Sequence, residues 1–277
     1  MKKTAYILFS ALVLLFVGIS IVRAQDFTFE KAYQDYNFTF DQYSQSFTDY
    51  EKAKDFYLKN PTLTLKEDAR KKTLTMLRNR DEVERVYLTA LRLKITEVKG
   101  LSKDEKEKIL GKIDSEVAWY KSHKEVYQDS TVLEDLFGKS KESQSRYKTD
   151  TTPIIYEALY YVSLGEVTGS RNDHEAAYTE IRKELDGKVA EGKLKIDPFN
   201  RWLTDIDGVV NQLKANEVKS KEEIAKIYSQ NYTDPQNSFK TGVAVFADSI
   251  TLLTQLNSFL HELLTSYNSQ LQAQQPQ

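Results

Sequence analysis

Between Pro235 and Leu271 the sequence places a seam residue every four or three positions without a break: Phe239, Val243, Phe246, Ile250, Leu253, Asn257, Leu260, Leu264, Tyr267 and Leu271. Spacing of this kind keeps one side of an α-helix turned toward a neighbour, so the segment reads as a long helix laid along another. Val245, Leu252 and Phe259 add a second apolar edge, while Leu256 and Leu263 widen the first. Asp248 and Glu262 are the only acidic or basic side chains from 241 to the end, histidine aside. A helix apolar around so much of its girth needs more than one neighbour. Asn257 takes a position otherwise held by Val, Ile, Leu or an aromatic residue, and is expected to be a polar core position that fixes register.

The same period recurs along most of the chain, whereas alternating runs of β-branched residues are almost missing. The first helix is predicted from about Phe27 to Lys59, with Phe29, Tyr33, Tyr36, Phe40, Tyr43, Phe47, Tyr50 and Tyr57 as an aromatic stripe. Such a stripe reads as a core seam, and Phe38, on the opposite side, as a contact for a partner. Asn60-Pro61 stops that helix. Thr64 with Glu67 reads as a capping box for a second helix ending near Gly100, and Ser102 with Glu105 as the next. Opposite charge excesses on these segments favour an antiparallel hairpin. Further starts are expected at Val132, at Thr152-Pro153, at Asn172 with Glu175, at Asp197-Pro198, at Ser220 with Glu223 and at Pro235. Residues 187 to 195 are the most loop-like interior stretch. The expected fold is all-α, an elongated multi-helix bundle of antiparallel helices over residues 25–272, with a frayed tail at 273–277.

The N-terminus differs from the rest. Lys2 and Lys3 precede an uncharged, mostly apolar run from Ala5 to Val22, followed by Arg23 and Ala24. That is the layout of a secretory signal peptide over residues 1–24, which implies a protein working outside the cytoplasm, secreted or periplasmic. Retained, residues 5–22 would instead anchor the chain in a membrane. The 277 residues include no cysteine, which excludes disulfides, thiolate nucleophiles and a lipidated cysteine. The formal charge of −2 becomes three units more acidic when the segment with Lys2, Lys3 and Arg23 is removed. Phosphate neutralisation is then a poor basis for binding, and no nucleic-acid partner is expected.

Catalytic motifs fail one by one. Gly138-Lys139-Ser140 lacks the glycine that a phosphate-binding loop needs five residues earlier, where Leu133 stands. Ser145 to Lys148, Ser229 to Asn231 and Lys240 to Gly242 follow the motif order of penicillin-binding proteins and serine β-lactamases. Yet the last should lie on a strand, and here it opens the most regular helix. His123, His174 and His261 are scattered, none has a Glu three residues before it, and His261-Glu262 lacks the second histidine of a zinc protease. Asn37-Phe38-Thr39 and Asn231-Tyr232-Thr233 fit the glycosylation pattern, which matters only in a eukaryotic secretory route.

No catalytic, cofactor or metal site is therefore assigned. The expected function is a non-enzymatic scaffold or interaction protein of the cell envelope, with a protein or envelope polymer as partner and a homo-oligomer as one form. The alternative is an extracytoplasmic binding module that takes a peptide, glycan or small ligand between helices. Exported material is expected to begin at Gln25, which N-terminal sequencing or intact mass checks; a retained apolar segment would make the protein membrane-anchored instead.

Overall fold

The computed structural model describes residues 28–228 and 234–273. The predicted signal segment, its cleavage point before Gln25 and residues 274–277 of the predicted tail lie outside them, as do Ser229 and Asn231. Among the described residues there is no strand, and the chain is an all-α, multi-helix fold. In order, α1 spans Phe29–Lys59, α2 Leu63–Glu97, α3 Lys103–Lys124, α4 Leu133–Arg146, α5 Thr152–Ala190, α6 Asn200–Ala225 and α7 Pro235–Ala273.

Local chemistry explains the boundaries. Thr28 caps α1 by accepting from the Lys31 amide, and Thr62, extended after Pro61, caps α2 by accepting from the Leu65 amide. The cap of α2 is thus Thr62 and not Thr64. Ser102 and Glu105 form both arms of the expected capping box, at 3.3 and 2.9 Å. Thr152-Pro153 opens α5 with the proline in its first turn, as expected, but no side chain caps it and no break precedes it. Residues Tyr147–Thr151 form a π turn that joins α4 to α5 without a break, and Pro153 is buried just after it. Widening the coil there lets the chain pass a residue that lacks an amide donor and crowds the carbonyl four positions back. Asn172 and Ser220 start no helices: both lie inside longer ones, where packing outweighs a local capping signal.

The helices pack in sequence order at first, α1 on α2 and α2 on α3, and the chain then closes with α6 on α7 and α7 on α5. One core gathers Leu88, Leu91, Ile95, Ile109, Ile113, Tyr160 and Phe246 from α2, α3, α5 and α7. A second joins Leu185, Leu203, Ile206, Leu213, Leu256 and Leu263 from α5, α6 and α7, and a third, smaller one holds Leu74, Leu77, Tyr127 and Leu136. α7 thus serves two cores, as its wide apolar girth requires. By length and composition α7 would also cross a membrane, with a mean hydropathy of 1.3 over its most apolar stretch, a test that core helices pass as well.

The seam of α7 is not the one its spacing suggests. Phe246, Leu260 and Tyr267 are buried, but they alternate with Gly242, Ser249, Leu256 and Leu263 and not with Ile250, Asn257 and Leu264. The expectation of a polar core position at Asn257 is therefore corrected: Asn257 is exposed. Small Gly242 and Ser249 let α6 approach closely, with Ser220 donating to the Gly242 carbonyl at 2.8 Å and Asn216 to Ser249 Oγ at 3.2 Å. Those contacts turn the helix by about one position.

Elsewhere the closest approach is made by glycine. A methyl group on Gly100 would lie 2.1 Å from the Gly165 carbonyl oxygen and 2.3 Å from the Gly169 amide nitrogen, so the α2–α3 turn fits a notch in α5 backbone to backbone. Gly111, on an exposed part of α3, has open space around it. Gly100→Ala is expected to cost about 2 kcal/mol or more through overpacking. Gly111→Ala should gain up to about 1 kcal/mol from helix propensity. Thermal or urea unfolding of the two variants checks the opposite signs.

Candidate functional site

α1 faces α2 with its smallest side chains. Ala32, Thr39, Ser46 and Ala53, seven residues apart, are the buried positions of α1, and Thr39 and Ser46 satisfy their hydroxyls on backbone carbonyls within the helix. A seam so thin brings the two helices close and leaves no room in it for rings. The aromatic stripe is consequently turned to one side, where Phe29, Tyr33, Tyr36, Phe40, Tyr43, Phe47 and Tyr50 form a ladder with centroids 5.7 to 6.4 Å apart. The expectation that this stripe is a packed core seam is corrected: Phe40 remains 46% exposed and Phe47 38%.

The ladder forms one wall of a groove of about 770 Å³. Its floor is α2, which presents Met76, Arg80, Val83, Glu84 and Tyr87 at helical spacing, and its far wall is the junction of α4 and α5, with Ser143, Tyr147, Ile155 and Tyr156. The π turn lies in that far wall, and such turns are frequent at functional sites. Tyr36 and Tyr87 touch across the wall and floor with centroids 5.2 Å apart. A second depression of about 260 Å³ shares Tyr50 and Met76 with the first and continues past Leu133 and Phe137 of α4. The main groove's volume falls in the range of small-ligand sites, and its lining mixes aromatic rings with polar groups, most of them tyrosine hydroxyls.

Among the described residues Glu84 is the only acid lining the main groove and Arg80 the only base. Arg80 is already engaged: its guanidinium reaches Asp81 Oδ1 at 3.3 Å, Ser140 Oγ at 3.0 Å and the Tyr127 hydroxyl at 3.1 Å. Asp81 is fully buried and also accepts from Ser143 Oγ at 2.8 Å and lies 2.5 Å from His123 Nδ1. Trp119 stacks on that imidazole at 4.4 Å. This network ties α2, α3 and α4 together beneath the groove. It brings a serine, a histidine and an aspartate into contact, but the serine donates to the carboxylate and not to the imidazole, so nothing here activates a nucleophile. His123 Nε2 has no hydrogen-bond partner among the described residues.

Glu84 itself has no hydrogen bond or ion pair among the described residues. Burial among the rings pushes its carboxyl up to about 7; the Arg80 guanidinium opposes that shift and Asp81 adds to it. Burial also raises the phenols of Tyr36 and Tyr43, and that of Tyr87 to about 12, so all three are neutral donors at ordinary pH. Their hydroxyls make no hydrogen bond to described residues and remain open to a bound molecule. An unpaired, largely buried carboxyl in a concave aromatic site marks a functional candidate.

The residues singled out from sequence are not brought together. Phe38 stands 65% exposed on the side of α1 away from the groove. Asn257 lies in a shallow depression between α5 and α7, with His174 and His261. No group of three or more His, Asp and Glu side chains among the described residues is placed to hold a metal ion. Gly138 to Ser140 is one turn of α4, where Lys139 donates to the Val126 carbonyl and Ser140 accepts from Arg80. Lys240 to Gly242 lies within α7 and not on a strand. Sequence reasoning passed over Glu84, Arg80 and Tyr87, whose signal was the spacing 80, 84, 87 on one helix face. Comparison with protein-family profiles, with curated proteins and with solved structures finds no match.

Because the folded-state pKa of Glu84 lies above its unfolded value, its contribution to stability is greatest below the ordinary carboxylate range and is lost as pH rises through about 7. Full ionisation then costs up to about 3 kcal/mol. Wild type should lose stability between pH 5 and pH 8 relative to Glu84→Gln, and the variant should be the more stable of the two at pH 8. Urea unfolding across that range tests it, and parallel profiles would refute it.

Proposed function

We propose that this protein is a non-enzymatic binding module that holds an extracytoplasmic ligand in the groove between α1 and the α4–α5 junction. The observation that carries this reading is the aromatic ladder of α1, in which Tyr33, Phe40 and Phe47 stay exposed beside the groove while Tyr36, Tyr43 and Tyr50 are half-buried, the last two against the third core. Tyrosine and phenylalanine faces along a groove offer large, rigid contact area at small entropic cost. The signal-like sequence over residues 1–24 supports export, so the ligand would be met outside the cytoplasm as a peptide, a glycan or another small molecule of the envelope. Phe38, exposed and facing away, supports a further protein contact of the scaffold kind, compatible with the groove being filled.

A ligand panel containing organic cations, organic anions, oligosaccharides and short apolar peptides tests the groove by NMR or calorimetry. At least one class should bind wild type, and binding should weaken tenfold or more in the double variant Phe40→Ala/Phe47→Ala. Because both rings are partly exposed, the variant should melt within a few degrees of wild type. Absence of binding by every class, or equal binding by the variant, would overturn the reading; Phe38→Ala serves as a control expected to leave groove binding intact.

A further inference from the structure

The groove combines three features that together restrict its occupant. Its lining is rich in tyrosine and phenylalanine rings, whose faces carry negative charge density. Its single lining carboxylate, Glu84, has no donor from the protein among the described residues. Its single lining cation, Arg80, is committed to buried Asp81, to Ser140 and to Tyr127. The one lining cation is thus committed elsewhere, and the groove is left with a negative charge that Arg80 offsets only at a distance, in surroundings that penalise it.

We propose that the groove recognises an organic cation, a protonated amine or quaternary ammonium on an apolar body, whose charge sits against Glu84 and the faces of Tyr36, Tyr43 and Tyr87. This rests on the groove being the binding site and goes further by naming the class of ligand. A cation gains twice, from the carboxylate and from the ring quadrupoles, and both gains are larger in a desolvated site than in water. A neutral sugar gains only ring stacking and a hydrogen bond from the protonated acid, and an anion meets the Glu84 charge. The remaining rings of the ladder and the second depression beyond Tyr50 and Met76 then take the apolar body.

Binding of this kind is linked to a proton. A free Glu84 is about half protonated near pH 7, and a cation binds the ionised form, so association releases a proton below that pH. The other titratable groups facing Glu84 do not change charge in this range: the phenols of Tyr36 and Tyr43 on α1, Tyr87 on α2, Tyr120 on α3 and Tyr147 on the π turn are all raised above their ordinary value. Arg80 and Asp81 face it from α2 as an ion pair. Tyr156 completes the far wall.

Benzyltrimethylammonium, whose own charge is independent of pH, and cellotetraose, a neutral molecule that stacks on rings, are the two probes. Calorimetry is run at pH 5.5 and pH 8 on wild type and on Glu84→Gln, with circular dichroism to show that the variant is folded. The expected result is binding of the cation about tenfold or more tighter at pH 8 than at pH 5.5. In the variant the affinity should fall at least tenfold and the pH dependence should vanish. Cation binding that ignores both pH and the substitution overturns the proposal, as does failure of the cation to bind wild type. Binding of cellotetraose alone, equally by both proteins, also overturns it, while leaving the groove as a binding site; loss of every ligand class from the broader panel is the separate outcome that removes the groove itself.

Discussion

The site depends on the contact between α1 and α2, made by side chains with almost nothing to bury. Ala32, Thr39, Ser46 and Ala53 give α1 a strip of small residues to lay on α2, and a helix that approaches so closely cannot keep large rings in the same seam. The rings are displaced sideways by geometry. Once displaced they stand over the floor that α2 provides, and the α4–α5 junction closes the other side. In most amphipathic helices the largest apolar residues choose the buried face; here the smallest do, and the large ones become a lining.

Holding that lining in place falls to the polar network beneath it. Asp81 draws together Arg80 from its own helix, His123 from α3 and Ser143 from α4, and a buried carboxylate with three partners has little freedom to rearrange. A neighbouring centre is built the same way: Arg146 pairs with buried Glu116, which also accepts from Thr151 in the π turn at 2.8 Å. Both networks fix the far wall relative to α2 and α3. Beside the well-compensated carboxylates of Asp81 and Glu116, Glu84 stands apart for having no hydrogen bond or ion pair among the described residues, and the fold bears the cost of desolvating it.

Much of the architecture was legible in the sequence because helix periodicity and caps are local. The hairpin turn at Asn60-Pro61, the box at Ser102 and Glu105, and the start of α7 at Pro235 all follow from rules acting within a turn or two. What misled was the assumption that the largest apolar residues mark the packed face. On α1 it put Tyr36, Phe40, Tyr43 and Phe47 in a core, and on α7 it put Asn257 in a seam that runs through Leu256 and Leu263. In both helices a heptad of small residues, 32-39-46-53 in one and 242-249 in the other, decided the matter, and such residues carry little weight in a hydrophobic pattern. Glu84 was hidden for a different reason: its environment is assembled from α1, α2, α3 and the π turn, and no single stretch of sequence records it.

The π turn has a consequence for which residues share a side of the long rod made by α4 and α5. An α-helix advances about 100° per residue, so one extra residue in a turn offsets everything after it by that angle. Up to Tyr147 the groove side follows ordinary helical spacing; beyond it the side resumes at Thr152, Ile155, Tyr156 and Leu159, whereas Thr151, Ile154 and Ala158 are buried without lining the groove. A continuous α-helix from Tyr147 would have put position 151 where 152 now stands and carried Ile154 and Ala158 toward the opening. The turn therefore behaves as a phase shifter: it lets one uninterrupted rod serve a polar anchor in its first half and a hydrophobic core in its second. Excision of a single residue between 147 and 151 would leave the groove side beyond the turn where it is, because Thr152 would then stand four positions after Tyr147, as in an ordinary α-helix.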